Sequence, residues 1–236
     1  MAFHPILING AWQASQSAES FQAENPATGE KLGDSFPVST WSDLDIALSA
    51  AAEAAEALRE SAPAERATFL ERYAARIEAR ADELIKTANE ETALPVAPRL
   101  QTLELPRTTG QLRQAAAAAL EGSWALPTID AQNNIRSMHA AIGPVMIFGP
   151  NNFPFAFNAV SGGDFAAAIA AGNPVVAKGH PNHPNTTRLL AEEAMHALEE
   201  SALPKSAIQL IYHLAPESGL RAAADPRLAA LAFTGS

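Results

Sequence analysis

The sequence predicts an α/β fold built on an open, mostly parallel sheet with helices on its faces. From Pro144 onward, short apolar runs alternate with longer stretches of helical spacing, and these runs lie at 145–148, 174–178, 207–212 and 228–233. The first of the helical stretches is predicted over 155–172, where Gly172 ends it. Strands separated by helices of this length pair in parallel through right-handed crossovers. Ligands of such sheets bind at the carboxyl ends of the strands, so the loops that follow these runs are the first candidates for function.

The part before Pro144 has a different pattern. Asn9-Gly10 lies between apolar residues and predicts a two-residue hairpin, within an N-terminal β layer that has further turns at 25–26 and 28–29. Apolar residues then recur at helical spacing over 42–60 and 62–92, with Pro63 suited to a first turn. A third helical stretch ends near Gly122, and the following segment to Gly143 is interpreted as an extended excursion or hairpin.

Composition excludes several classes of function. The chain has 236 residues, of which 47% are apolar and 18% charged, so it can bury a large core. The net charge is −10, and the sequence has no basic stripe that could bind the phosphate backbone of a nucleic acid. No run reaches the roughly 20 apolar residues of a membrane span, and no basic signal region begins the chain. We therefore expect a cytoplasmic protein that binds neither nucleic acid nor membrane.

Cysteine is absent from the sequence. The chain therefore forms no disulfides, offers no thiolate to a metal and has no thiol nucleophile.

The loop after the first strand, "GPNNFP", places two asparagines between Pro150 and Pro154. Prolines restrict their neighbours and can hold an Asn side chain in one orientation. An amide held in this way can donate hydrogen bonds to a developing oxyanion. The alternative is that Asn151 and Asn152 are simply good turn residues, and residue type alone favours that alternative.

The loop after the second strand, "AKGHPNHPN", contains one lysine and two histidines. Lys178 could hydrogen-bond the ribose or phosphate of a nucleotide, or it could be a strand end that extends its amine to solvent. His180 and His183 could be metal ligands, but no carboxylate or thiol lies at ligand spacing. We therefore interpret them as solvent-exposed loop residues and predict no metal site. No G-x-G-x-x-G fingerprint occurs.

Three ordered segments, "GPVMIFGPNNFPFAFN", "AAIAAGNPVVAKGHPNHPNT" and "LAALAFTGS", resemble the motifs of the aldehyde dehydrogenase superfamily. The early segments "LINGAW" and "NPATGE" are similar to its N-terminal region, so the resemblance spans nearly the whole chain. "KGHPNHPNT" most resembles bacterial NADP-type aldehyde dehydrogenases and α-ketoglutarate semialdehyde dehydrogenases. The resemblance implies a Rossmann-like sheet that is truncated before the catalytic domain.

The resemblance also implies roles for single residues. Asn152 would stabilise the oxyanion, Phe153 and Pro154 would shape the cofactor and acyl site, and Lys178 would hydrogen-bond the adenosine ribose. Gly235 and Ser236 would lie near the cofactor pyrophosphate. The other expected cofactor-binding residues are Phe148, Gly149, Pro150, His180, Pro181 and Phe233.

The same resemblance implies a division of the chain into three segments. Residues 1–121 would be the helical and hairpin part of the cofactor-binding domain, 122–143 a bridging or oligomerisation excursion, and 144–236 the Rossmann-like part.

Two departures from the family pattern affect function. NAD-preferring relatives carry a glutamate three residues after the lysine, where this chain has Pro181, so we expect either NADP or NAD to bind. The family's cysteine nucleophile and glutamate base lie beyond the F-T-G-S motif, in segments that this chain does not contain. We therefore expect no aldehyde oxidation by the chain alone.

The predicted function is that of the N-terminal, cofactor-binding portion of an NAD(P)-dependent aldehyde dehydrogenase, which oxidises an aldehyde or semialdehyde to the acid. An alternative is a non-catalytic nucleotide-binding or interaction module that pairs with a full-length relative. We expect a homo-oligomer or such a pairing. The apolar run of the last strand is expected to be buried. The strand is also expected to lie at the edge of the sheet, with an apolar surface open to other chains.

Overall fold

The computed structural model describes residues 2–235, so Ser236 lies outside the described residues. Seven helices occur in this range: α1 (Trp41–Glu60), α2 (Pro63–Ala79), α3 (Ala81–Thr92), α4 (Leu105–Glu121), α5 (Gly163–Ala170), α6 (Pro184–Glu199) and α7 (Pro216–Ala223). An irregular helical segment, Val96–Glu104, connects α3 to α4, and single turns lie at Ser123–Ala125 and Lys205–Ala207.

The strands are short. They are β1 (Ile6–Ile8), β2 (Ala11–Gln13), β3 (Ser20–Phe21), β4 (Glu24–Asn25), β5 (Glu30–Lys31), β6 (Phe36–Ser39), β7 (Thr128–Asp130), β8 (Ile135–Ser137), β9 (Val145–Phe148), β10 (Val175–Lys178), β11 (Ile208–Ile211), β12 (His213–Leu214) and β13 (Ala230–Phe233).

The central sheet has six strands in the order β13-β9-β10-β11-β1-β2. The four strands β13, β9, β10 and β11 are parallel, and the hairpin β1-β2 adds to β11 in the antiparallel direction. The predicted open, mostly parallel sheet with flanking helices is therefore confirmed. Its central strands β9, β10 and β11 are buried over nearly their full length, as parallel strands covered on both faces require.

The N-terminal hairpin forms at the predicted turn. Asn9 and Gly10 have φ of 53° and 74°, so both adopt the left-handed conformation that a two-residue I′ turn needs. A Cβ at position 10 would lie 2.6 Å from the Cβ of Lys205. Gly10 is thus required by both its backbone conformation and the close approach of the neighbouring chain.

The helices before the sheet largely follow the sequence pattern, with one difference. The stretch predicted as continuous over 62–92 is divided at Arg80, whose φ of −102° and ψ of 16° end α2 and begin α3. This bend lets both helices pack against α6, where the Arg80 guanidinium pairs with Glu192 and Glu193. Gly122, with a φ of 74°, ends α4 as predicted.

The prediction of one helix over 155–172 is wrong in its first half, because α5 begins only at Gly163. Tight turns precede it, and Asn158 maintains them. Its Oδ1 accepts from the Val160 amide at 3.1 Å, and its Nδ2 donates to the Pro154 carbonyl at 2.9 Å. A side chain that bonds the nearby backbone in this way competes with helical hydrogen bonding.

The excursion after Gly122 contains the antiparallel pair β7-β8, as the hairpin interpretation expected. Several of its apolar side chains face solvent, among them Ile129, Ile135 and Met138, which are 71%, 57% and 68% exposed. The division of the chain at residues 121 and 143 stays a prediction.

The strand β13 lies at the edge of the sheet and pairs only with β9 among the described strands. The expectation that its run is buried is wrong, because Leu231 and Phe233 are 41% and 61% exposed. The expectation of an open apolar edge is confirmed by the same two residues. The face of β13 that carries these two side chains is therefore exposed.

Within residues 2–235, no helix combines the length and the apolar character that crossing a membrane requires.

A lysine at position 231 should reduce self-association of the chain. Leu231→Lys places a charge on the exposed face of β13, and burying that face against another copy would then lose the roughly 1.5–3 kcal/mol of a buried leucine. We expect about tenfold weaker association in sedimentation velocity. Leu220→Lys on α7, where the leucine is 75% exposed, is the matched control and should leave association unchanged. Equal behaviour of the two variants would contradict the prediction.

Candidate functional site

The loops after β9, β10 and β13 meet at one edge of the sheet. The parallel register places Phe148 opposite both Lys178 and Phe233, so these three strands end in one row. The loops border a cleft of about 580 Å³, a size typical of small-molecule sites. It is lined by Phe148, Gly149, Pro150, Asn151, Asn152, Phe153, Phe157, Lys178, His180, Phe233, Thr234 and Gly235.

Most of the predicted site residues line this cleft, and two of the described ones, Pro154 and Pro181, do not. Pro154 is buried behind the loop, Pro181 borders a separate cleft with Phe21, and Ser236 lies outside the described residues. Sequence reasoning missed Phe157 and Thr234 as lining residues. Phe157 was assigned to a helix, whereas Thr234 stands inside the quoted F-T-G-S motif and could have been found there.

A buried carboxylate holds the loop that carries Asn152. Glu104 is 1% exposed, and its Oε1 accepts from the backbone amides of Phe155 and Ala156 at 2.8 and 3.0 Å. Its Oε2 lies 2.5 Å from Nη1 of Arg99, and Nη2 of Arg99 donates to the Asn152 carbonyl at 2.8 Å. We call Glu104 and Arg99 the loop clamp. It fixes the backbone on both sides of Phe153 and leaves the Asn152 side chain exposed to the cleft.

Gly149 lets this loop fold back on itself. A Cβ there would lie 2.8 Å from the Phe157 carbonyl oxygen and 3.0 Å from the Ala159 nitrogen, too close for any other residue without a shift of the backbone. The loop after β9 is therefore compact and held from within as well as by the loop clamp.

Lys178 supplies the cation of the cleft. Its ammonium lies 5.8 Å from the centroid of the Phe148 ring, and burial lowers the pKa of the amine from its ordinary value. Among residues 2–235, no carboxylate lies within 4.0 Å of the Lys178 ammonium. An amine that is partly buried without a counter-ion can interact with a polar or anionic ligand.

The two histidines of the second loop differ in environment. His183 is 1% exposed, and its Nε2 donates to the Pro150 carbonyl at 2.9 Å, so it joins the loops after β9 and β10. The interpretation of His183 as solvent-exposed is therefore wrong, because this long-range bond buries it. His180 is partly buried in the cleft, and burial together with the nearby His183 and Lys178 lowers its pKa to about 4. Its imidazole is neutral at pH 7.

Glu91 anchors the other end of the second loop, where α6 begins. It is 1% exposed, and it accepts from the amides of Asn185 and Thr186 at 2.8 Å each and from the Thr186 hydroxyl at 2.7 Å. Burial raises the pKa of this carboxyl to about 7, although the three hydrogen bonds oppose the shift.

The geometry limits the chemistry that these residues can perform. The cleft offers an exposed amide, a cation, a neutral imidazole and several aromatic faces, which suit binding and charge stabilisation. In the part of the chain that the structure describes, no group of three metal-ligating side chains occurs.

Comparison with known proteins places the chain in a family. A sequence profile described as "Aldehyde dehydrogenase family" matches residues 12–236. The chain belongs to the aldehyde dehydrogenase family. The expected fold and family resemblance are thereby confirmed.

Two curated relatives are similar to this chain over almost its whole length. It is 36% identical over 240 residues to α-ketoglutaric semialdehyde dehydrogenase 2 of Azospirillum brasilense, a match that covers 98% of this chain and 45% of the relative. It is 33% identical to α-ketoglutaric semialdehyde dehydrogenase of Acinetobacter baylyi, a match that covers 98% of this chain and 44% of that relative. The chain thus spans about 45% of the length of these relatives.

Solved aldehyde dehydrogenase structures share the fold. The aldehyde dehydrogenase from Bartonella henselae superposes with a TM-score of 0.86 at 25% identity. The match covers 100% of the present chain and 48% of the Bartonella chain. The C291A mutant of AldC from Pseudomonas syringae, complexed with NAD+ and octanal, superposes with a TM-score of 0.86 at 25% identity. This match covers 98% of the present chain and 45% of the AldC chain.

The loop clamp should contribute measurably to the stability of this chain. Glu104→Gln keeps one acceptor oxygen but removes the buried charge that Arg99 neutralises, so we expect the free energy of unfolding to fall by about 2–3 kcal/mol in urea. Glu78→Gln breaks an exposed pair with Arg113 and serves as control, with an expected loss below about 1 kcal/mol. Similar losses of unfolding free energy in both variants would show that the loop clamp does not stabilise the chain.

Glu91 should make stability depend on pH. The folded chain binds a proton at Glu91 up to about pH 7, whereas an unfolded glutamate loses it near its ordinary pKa of 4.5, so the Glu91 contribution is lost as pH rises between these values. We expect Glu91→Gln to reduce the fall in unfolding free energy from pH 5 to pH 8 by roughly 2–3 kcal/mol.

Urea titrations at the two pH values measure this difference. Glu90→Gln, at the neighbouring and more exposed position, is the control and should behave as the unsubstituted chain does. An unchanged pH dependence in Glu91→Gln would show that the carboxylate is charged throughout.

Proposed function

We propose that this chain carries the cofactor-binding portion of an NAD(P)-dependent aldehyde dehydrogenase and that the cleft at the sheet edge holds the dinucleotide. The observation that carries the proposal is the meeting of Asn152, Lys178 and Gly235 in one cleft at the carboxyl ends of parallel strands. The similar Pseudomonas syringae structure was determined with NAD+ and octanal, which supports a dinucleotide and an aldehyde as ligands.

Each part of the cleft has a role in this proposal. Lys178, a partly buried cation without a counter-ion among the described residues, would donate hydrogen bonds to the adenosine ribose. Backbone amides near Gly235 would face the pyrophosphate. Asn152, whose backbone the loop clamp holds, would direct its side-chain amide to the oxygen of the aldehyde as negative charge develops there.

The choice between NAD and NADP depends on charge at the ribose. Pro181 occupies the position where NAD-preferring relatives have a glutamate, and no carboxylate lines the cleft among residues 2–235. A 2′-phosphate in this cleft would meet no carboxylate of its lining, and His180 adds a neutral ring that can accept or donate one hydrogen bond. We therefore propose that both NADP and NAD bind.

The chemistry of the family needs groups that this sequence lacks. The family resemblance assigns a cysteine as nucleophile and a glutamate as base, and the sequence contains no cysteine. Oxidation would therefore require a further segment or a partner that supplies them. The substrate would be an aldehyde or semialdehyde, in keeping with the names of the relatives, and the assembly a cytoplasmic homo-oligomer or a pairing with a full-length relative.

Cofactor binding tests the proposal. Titration calorimetry should show that NADP and NAD both bind the chain, and Lys178→Ala should bind each about tenfold more weakly because charged hydrogen bonds are lost. Lys86→Ala, at an exposed helix position, is the control and should bind normally. With an added aldehyde, NAD(P)H absorbance should not rise. The proposal fails if neither nucleotide binds at millimolar concentration.

A further inference from the structure

The four lysines of the chain lie in two kinds of environment. Three are exposed, and each has a carboxylate within 4.0 Å of its ammonium. Lys178 is partly buried, and no carboxylate of residues 2–235 lies within that distance of its ammonium. The three exposed pairs are Lys31–Glu24 at 3.2 Å, Lys205–Glu199 at 3.2 Å and Lys86–Glu90 at 3.9 Å.

This difference affects the reactivity of the amines. A nearby carboxylate favours the ammonium form, whereas burial without a counter-ion disfavours it. Burial lowers the pKa of the Lys178 amine, so a larger fraction of it is neutral at a given pH than in a solvated lysine. Only the neutral amine carries the lone pair that attacks a carbonyl carbon. The fold therefore favours Lys178 as the nucleophile among the four lysines.

Aromatic rings border the space in front of this amine. Lys178 lines the main cleft of about 580 Å³ together with Phe148 and Phe233. The Phe148 ring centroid lies 5.8 Å from the Lys178 ammonium and 6.1 Å from the Phe233 centroid. A small aromatic aldehyde can therefore pack its ring against these side chains while its carbonyl carbon reaches the amine.

We propose that Lys178 is a site of covalent modification, at which a small aromatic aldehyde forms an imine. The amine nitrogen forms a bond to the carbonyl carbon, the π electrons of the C=O bond move to the oxygen, and a proton passes from nitrogen to oxygen. The carbinolamine then loses water and leaves a C=N bond. The reaction needs no oxidant or reductant, and water reverses it.

The imine competes with a dinucleotide for the cleft. In the proposed function the Lys178 ammonium donates hydrogen bonds to a ribose, and imine formation removes donors from this nitrogen. An aldehyde would thus block the empty cleft, and a bound dinucleotide would protect the lysine. This protection rests on the proposed function, whereas the modification itself does not.

Reductive trapping tests the proposal. The full chain is incubated at pH 7 with benzaldehyde and sodium cyanoborohydride, which reduces the imine to a stable amine, and peptide mass spectrometry quantifies each modified lysine. Lys178 should be labelled about tenfold faster than each of the other three lysines, because more of its amine is neutral. In urea the four rates should become similar, since the preference depends on the fold. Peptide mapping separates Lys178 from the terminal amine, whose ordinary pKa of about 8 makes it reactive as well.

Lys86 is the control within the same molecule. With propanal in place of benzaldehyde, the ratio of Lys178 labelling to Lys86 labelling should fall, because propanal has no ring to pack against Phe148 and Phe233. Saturating NADP should slow the labelling of Lys178 and leave that of Lys86 unchanged.

Equal labelling of the four lysines in the folded chain, or a preference for Lys178 that persists in urea, would overturn the proposal. The same labelling ratio for the two aldehydes would overturn its aromatic specificity. Preferential labelling of Lys178 that NADP does not slow would support the modification site and refute the proposed cofactor site instead.

Discussion

The site depends on the parallel pairing of β10, β9 and β13. In this register Lys178, Phe148 and Phe233 stand in one row, so the loop that follows each strand begins at the same level of the sheet. A shift of one residue would turn every side chain of a strand to the opposite face and break this row. The cleft is thus a consequence of how the core packs.

Residues from the helical part of the chain then hold the loops in place. Glu104 and Arg99 hold the loop after β9, and Glu91 holds the start of α6 after β10. His183 links the two loops through the Pro150 carbonyl. All of these groups are buried or partly buried polar groups whose hydrogen bonds are satisfied. They connect the N-terminal helices to the cleft and hold the backbone that carries the Asn152 side chain.

The sequence predicted the fold well where local chemistry decides it. Asn9-Gly10 set a hairpin and Gly122 ended a helix, because those conformations depend on a few adjacent residues. The three quoted motifs predicted the family and most of the residues that line the cleft. What could not be predicted depends on contacts between distant residues, such as the bond that buries His183 and the reach of Glu104 to the amides of Phe155 and Ala156. The turns before α5 were missed because the bonds of Asn158 outweigh an otherwise helical pattern.

A crystal structure of the chain grown with NADP would show directly where the dinucleotide binds. We expect it along the carboxyl edge of the sheet, with a ribose hydroxyl within hydrogen-bond distance of the Lys178 ammonium and the pyrophosphate near Gly235. The Asn152 side chain should stay open to the cleft, with Arg99 still bonded to its carbonyl. A dinucleotide bound elsewhere on the surface, with this cleft empty, would show that the cleft is not the cofactor site.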